Sequence, residues 1–481
     1  MATLAPRARN SRAVTQPIPR VEPVISTRFP SNLTAYSRCK GQGRSYCALR
    51  SPQPSCTQLI RESGVTTLPN SLWAATAQAA PRTEPLRGES HADVIVIGAG
   101  YSGLSAALHL RLLGTDVVVL EANEIGFGGS GRNMGQVNTG FLVLPDDVKK
   151  SVGPELGERM NQSFAGAADL VFELIESHDI EAFAVRNGNL FLAHDQRSRR
   201  LIDAYFEQHG RDGADLACLE HDTLAAATGS PIYSHGVLDK RSGTLQPLAY
   251  ARGLARAAIG AGVEIHEHSR VESLESAAGQ WCARSVSGGS VRADQVIVAT
   301  DAYSDGLLPA FRETLIPVQV QQVATAPLSE NIGRTILDGG IGTADRMHFT
   351  HYFRKDHQGR LLMVCAGNKA PDTKSLQRFF PQLGDTQIEF HWSGVVGMSP
   401  NHLPRLFRPE SGITAISGYS GRGLSTATLA GKLIADNLTG KLDDVELPLP
   451  VDHLEPISLH GIKTAAWAGG IVAVRWLDNL W

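Results

Sequence analysis

No apolar run in this chain approaches the roughly 20 residues needed to cross a bilayer. The longest candidate, 466–474, is interrupted by Gly469 and Gly470, so a soluble protein without a membrane span is expected. Cysteine is scarce. The six present, at 39, 47, 56, 218, 282 and 365, form no C-x-x-C pair, which leaves zinc ribbons and thioredoxin-like redox chemistry without their sulfurs. Sparse, irregular thiols suit a reducing compartment, and the cytoplasm is expected. Neither sign of charge dominates: 45 Lys and Arg face 48 Asp and Glu, for a net charge of −3. That balance argues against wholesale binding to nucleic acid or to an anionic membrane. A metal centre is not expected either. His348, His351 and His357 cluster in sequence, but 348 and 351 have opposite strand parity and converge poorly on one ion. His266 and His268 share a parity and read as solvated surface.

What is present is a 481-residue chain with 42% apolar residues, 19% charged residues and 48 glycines. This is enough for two domains, or for one large domain with an insertion. Residues 1–60 stand apart: eight arginines and Lys40 face one acid, Glu22, amid frequent Ser and Pro. Such a stretch cannot bury a core and reads as a disordered extension, drawn here to residue 64. The same composition fits an organellar transit peptide, or an extension without function.

From Asp93 the pattern changes. Asp93-Val-Ile-Val-Ile-Gly98 is a β-branched run with the look of a buried parallel strand. Leu104, Ala107, Leu108 and Leu112 then recur at helical spacing, Gly114 ends the helix, and a second strand runs over 117–120. Between strand and helix lies Gly98-Ala-Gly100-Tyr101-Ser102-Gly103, and Glu121 ends the second strand. Each part of this fingerprint has a physical task. Gly98 permits the turn, Gly100 lets backbone approach a pyrophosphate, and Gly103 lets helix pack closely on strand. The helix N-terminus offers unpaired N–H groups to phosphate. Glu121 is placed for ribose hydroxyls and would repel a 2′-phosphate. A Gly-rich turn without ligand is the bland alternative, but the order of elements from 93 to 121 favours a dinucleotide.

Further on, 248–261 reads as a helix, 263–274 as strand-like, 291–300 as ending in a buried strand, and 413–417 as a strand leading to a helix that ends near Leu438. Two Gly-rich stretches, 126–136 and 418–423, suit a long cofactor that reaches toward an isoalloxazine ring. The simplest arrangement is an α/β Rossmann-type cofactor domain with an interleaved α+β substrate domain. The expected segments are 65–150, 236–308 and 396–440 for the first, 151–235 and 309–395 for the second, and a tail over 441–481 with a docked helix.

The segments GFGGSGRNMGQ (126–136), TLQPLAYARGLARAA (244–258), VIVATDAYS (296–304), IPVQVQQVATAPL (316–328), HYFRKDHQGRLLM (351–363), WSGVVGMSPNHLPRL (392–406) and GYSGRGLSTATLAGKLIAD (418–436) together resemble the D-amino-acid-oxidase-like superfamily of FAD enzymes. Within it they are most similar to the γ-glutamylputrescine oxidoreductase group. The resemblance implies FAD bound by Gly98, Gly100, Tyr101, Ser102, Gly103 and Glu121 at the adenosine half. It implies Ser130, Arg132, Asn133, Gly135 and Gln136 along the pyrophosphate, ribityl chain and flavin. Val271 would contact adenine, Ala299 and Thr300 would pass near the dinucleotide, and Gly421, Arg422, Gly423 and Leu424 would meet the flavin's pyrimidine edge.

Relatives that attach flavin covalently use a His shortly after the ribose acid, where this chain has Arg132, or a late Cys, which 394–399 lacks; non-covalent FAD is therefore expected. Others carry an Arg where this chain has Val395 and Val396, which points away from a small α-amino acid and toward a larger amine. The implied reaction takes a hydride equivalent from the carbon beside a neutral amine nitrogen to flavin N5. The imine then hydrolyses to an aldehyde, and O2 or another acceptor reoxidises the flavin. No catalytic base is assigned. Tyr352 and Arg354 share a strand face and are expected substrate contacts, with Arg suited to a carboxylate; Gln136 is a third. The alternatives are a D-amino-acid or N-methyl-amino-acid dehydrogenase that feeds quinone, a pyridine-nucleotide-driven reductase or hydroxylase, and a non-catalytic flavin-binding subunit.

Overall fold

The computed structural model describes residues 67–478 apart from 278 and 347–349. The extension over 1–64, Cys39, Cys47, Cys56 and His348 therefore lie outside the described residues. Two large sheets organise the rest.

The first has seven strands in the order Val451–Asp452, Arg405–Phe407, Ile413–Ser417, Gln295–Val298, Val94–Ile97, Val117–Leu120, Glu264–His266. Its five strands from Ile413–Ser417 to Glu264–His266 run parallel. Val94–Ile97 and Val117–Leu120 are buried at all four positions, as both-face coverage of a parallel sheet requires. Val94 and Val96 enter a core with the helices Tyr101–Leu112, Pro247–Ala261 and Gly423–Leu438. Ile95 and Ile97 point the other way, onto Val271, Trp281, Ala283 and Val291 of a four-stranded layer.

Several local expectations are refined. The strand-like stretch 263–274 is two strands, Glu264–His266 and Val271–Ala277, in different sheets. The chain turns between them at His268 (φ 52°), so His266 and His268 share no strand face, and His266 instead bonds Glu84 O through Nδ1 at 2.8 Å. Likewise 291–300 divides into Ser290–Ala293 and Gln295–Val298, which serve different layers. Leu112, expected on the apolar stripe, is 59% exposed because it lies in the last turn of a helix whose buried face ends at Leu110.

The second sheet has eight strands in the order Ile388–Met398, Ile316–Pro327, Arg360–Ala366, Tyr352–Lys355, Gly342–Asp345, Asn189–Ala193, His235–Asp239, Leu216–Glu220. Its far face carries Leu190, Leu192, Val323, Phe353, Leu361 and Met363 in their own core. The boundaries drawn at 235/236 and 395/396 fall inside two of its strands. Helices Pro154–Ala165 and Ala167–Ser177 lie in the segment expected for the substrate domain, yet Met160, Phe164, Ala168 and Val171 join the core of the Rossmann sheet. The C-terminal helix His460–Asp478 forms, anchored by His460 Nε2 to Leu315 O at 2.8 Å. Over 461–470 only Thr464 is sheltered, while the helix contacts the strand Ile316–Pro327. Among the described residues no helix is long and apolar enough to cross a membrane.

Candidate active site

The first strand, Val94–Ile97, sits between Val117–Leu120 and Gln295–Val298. The chain leaves it in one direction and returns on the other side, which opens a crevice beyond its carboxyl end. Gly98 occupies that point with φ 107°. A Cβ on Gly98 would lie 3.0 Å from Ala299 O, one on Gly100 3.0 Å from Ser130 Oγ, and one on Gly103 2.0 Å from Gly98 O. The turn is thus built at contact distance, with no room for a side chain unless its neighbours move. Glu121 is buried; its Oε2 accepts from Ala99 N at 2.8 Å and its Oε1 from Asn123 N at 2.9 Å. Burial pushes its carboxyl pKa upward, against the pull of those amides. Each oxygen keeps a lone pair for a ribose hydroxyl.

The Gly-rich loop lies across this cradle. Ser130 Oγ accepts from Tyr101 N at 3.0 Å, at the start of the helix. The Tyr101 ring is buried, with its hydroxyl 2.7 Å from Ser130 O and 3.0 Å from Pro247 O. Asn133 donates from Nδ2 to Tyr101 OH at 2.9 Å and accepts from Gly135 N at 2.8 Å. Arg132 donates to Phe127 O at 2.8 Å and to Ser393 O at 3.2 Å. Gly135 has φ 73°, and a Cβ there would meet Leu245 O at 2.1 Å; no other residue fits. An N-terminal helix, Leu72–Thr76, closes over the loop: Trp73 Nε1 donates to Asn133 O at 2.9 Å and its ring meets Trp392 edge-on at 5.8 Å.

On the far side, Gly418 N donates to Asp301 Oδ1 at 2.9 Å. The backbone passes through Ser420 (φ 50°) and Gly421 (φ 85°) to Arg422, which caps the helix Gly423–Leu438 without a side-chain hydrogen bond. Such an N-terminus is a partial positive charge suited to an electron-rich ring edge. Ser102 and Leu424 are buried where these two helices meet, and a Cβ on Gly431 would strike Ser102 O at 2.4 Å. Val271 is buried in the adjacent layer with Leu120.

The eight-stranded sheet supplies a floor. Register partners share a face, so Trp392, Gln322, Val364, Tyr352, Ala344, Phe191 and Val237 form one row across it. Tyr352 lies mid-row, half-buried. Arg354 shares its face as expected, but it is 3% exposed and its Nη1 donates to Met134 O, Gly135 O and Leu245 O at 3.1, 2.9 and 2.5 Å. Desolvation pushes its pKa down to about 10. Arg354 thus stitches the loop to the Pro247–Ala261 helix entry. Gln136 likewise donates to Thr343 O at 2.9 Å and braces the loop against the floor.

Phe191 on the row and Arg346 beside it were not singled out by the sequence. Phe191 is fully buried, and the guanidinium carbons of Arg422 and Arg346 each lie 5.4 Å from its ring centre. Arg346 follows Ala344 by two and so shares its face; strand parity could have signalled it, had the strand been drawn. Among the described residues no cluster of His, Cys, Asp and Glu is arranged for a metal.

A dinucleotide cradle at a sheet switch point, joined by a Gly-rich loop to a second sheet, defines a flavin-type oxidoreductase. The chain belongs to the FAD dependent oxidoreductase family (DAO), whose pattern matches residues 93–437. It is 32% identical over 409 residues to a probable oxidoreductase, OrdL, of Haemophilus influenzae, covering 82% of this chain and 94% of that one. It is 31% identical over 382 residues to the γ-glutamylputrescine oxidoreductase of Escherichia coli, covering 77% and 89%. The fold matches glycine oxidase from Bacillus cereus with a TM-score of 0.61 at 21% identity, over 74% of this chain and 97% of that one. The chain is thus an FAD-dependent oxidoreductase.

Proposed function

We propose that this protein oxidises an amine larger than glycine, of the γ-glutamylputrescine kind, in the space between the Arg422 loop and the sheet floor, with FAD held non-covalently. The observation that carries the reading is the reach of Arg422. It caps the helix expected at the flavin's pyrimidine edge, yet its guanidinium rests on Phe191 of the floor, so cofactor edge and floor bound one site.

FAD, when bound, supplies the acceptor for a hydride equivalent from the carbon beside the amine nitrogen. Gly98, Gly100 and Gly103 would admit its pyrophosphate, Glu121 its ribose, and the loop 130–136 its extended chain. Tyr352, at mid-row, orients the substrate; Val364, Ala344 and Phe191 give the floor an apolar surface that excludes water. Arg354 and Gln136 act as braces for the loop. The substrate enters as the neutral amine, so no dedicated base is required, and the imine hydrolyses to an aldehyde. O2 is the proposed final acceptor. Relatives named for amine and amino-acid substrates support the class of donor.

The test is anaerobic mixing of FAD-loaded protein with a panel of amines and amino acids while the flavin's visible absorbance is followed. Bleaching by γ-glutamylputrescine or a similar amine is expected, with rapid recovery on admitting air. A flavin that responds to NADPH and to no amine would refute the reading.

A further inference from the structure

Arg422 is 6% exposed, and its Nε and Nη1 are buried without a hydrogen-bond partner. It sits with Arg346 on one aromatic ring. Among the described residues neither guanidinium has a carboxylate within ion-pair distance. The nearby acids are already engaged. Asp239 takes Arg241 through both oxygens, at 2.9 and 2.7 Å, together with Tyr205 OH at 2.8 Å and Thr139 Oγ1 at 3.0 Å. Asp345, next to Arg346 in sequence, points to the opposite face, where it accepts from His351 N at 2.8 Å and Tyr233 OH at 3.2 Å. The other titratable groups around the two guanidiniums are Tyr352, Tyr205, His209 and Arg241, the last paired with Asp239. Burial holds the Tyr205 phenol far above its usual value and pushes His209 down to about 4.

A buried, unpartnered cation with a second, half-buried one against the same ring is costly unless an anion joins them. The planar forks of arginine fit a carboxylate well. The phosphates of a dinucleotide would lie elsewhere, at the Gly98–Gly103 cradle. We propose that Arg346 and Arg422, over Phe191, form the anchor for a carboxylate on the substrate, at a distance from the amine that is oxidised. The inference rests on the amine reading above and narrows it: the substrate is an amine that carries an acid group, rather than a plain di- or polyamine. It also reassigns the carboxylate partner from Arg354, whose donors are turned to backbone carbonyls.

The experiment uses full-length, FAD-loaded protein and two readouts besides turnover. Acetate, propionate and glutarate are titrated against propionamide while the visible flavin spectrum and the thermal unfolding midpoint are recorded. Carboxylates should perturb the spectrum saturably and raise Tm, and the amide should do neither. Arg346→Gln and Arg422→Gln should weaken carboxylate binding by about 10- to 100-fold, and Arg346→Lys should retain part of it. Flavin content and circular dichroism establish that each variant is folded. In anaerobic reduction, the wild type should prefer γ-glutamylputrescine over putrescine, and Arg346→Gln should erase the preference through substrate affinity rather than the limiting rate. Carboxylate binding that ignores both arginines overturns the anchor, even if amines still bleach the flavin. Arginine-dependent carboxylate binding with no bleaching by any amine supports the anchor and removes the amine reading.

Discussion

Asp301 shows how a single residue can be placed at a cost. Its side chain accepts from Gly418 N, which holds the start of the loop that leads to Arg422. Among the described residues no cation pairs with it, and desolvation raises its pKa from the usual 3.8 to about 6. A carboxyl whose folded pKa lies above its unfolded value favours folding when protonated. Its contribution is therefore lost as pH rises from about 4 to about 6, and the penalty is complete above that. Asp301→Asn keeps an acceptor for Gly418 and removes the charge. The variant should be more stable at pH 7.5, by at most about 3 kcal/mol, with a flatter Tm profile between pH 4 and 6. A midpoint that falls equally at both ends of that range would contradict this. At this scale the sequence was legible wherever backbone geometry dictates the residue: Gly98, Gly103 and Gly135 announce themselves because no side chain fits. Arg354 was legible as a strand residue but not as a brace, because its partners at 134, 135 and 245 are set by folding.

Among the elements, the short helix Leu72–Thr76 carries more than its five residues suggest. Ser71 caps it, accepting from Ala74 N at 3.1 Å. Leu72 and Trp73 are fully buried among Met134, Leu248, Leu362 and Trp392. Gln246 donates to Trp73 O at 2.9 Å, and Arg252 donates to Gln78 O at 2.7 Å. This strap lies upstream of the family match, which begins at 93, and it presses the 132–135 loop into place. Trp73→Ala should cost about 3–5 kcal/mol and lower the flavin-to-protein ratio. Removal of 67–88 should yield protein that retains little FAD in gel filtration. Full FAD retention in both would show that the strap is dispensable. The periodic elements around it could be read from sequence; the strap could not, since its partners are 60 and 319 positions away.

Across the whole molecule, the proposed cofactor site draws on residues from 98–136, 271, 299–300 and 421–424, so the proposed hold on FAD is distributed. The cysteines among the described residues, Cys218, Cys282 and Cys365, lie in none of these segments. Acid precipitation should release all of the flavin to the supernatant, and stripping FAD should lower Tm in proportion to its affinity. Flavin that stays with the acid-precipitated pellet would defeat the non-covalent reading. The sequence by itself determined the βαβ unit, the glycines of its turn, the acid Glu121 at the end of its second strand and the later helix that begins at Gly423, because each rests on local backbone sterics or a short hydrophobic period. Tertiary structure alone decided the floor. Its row from Trp392 to Val237 is assembled from strands far apart in the chain, and the meeting of Arg346 with Arg422 on Phe191 depends on strand register across the sheet, a long-range pairing that no local pattern encodes.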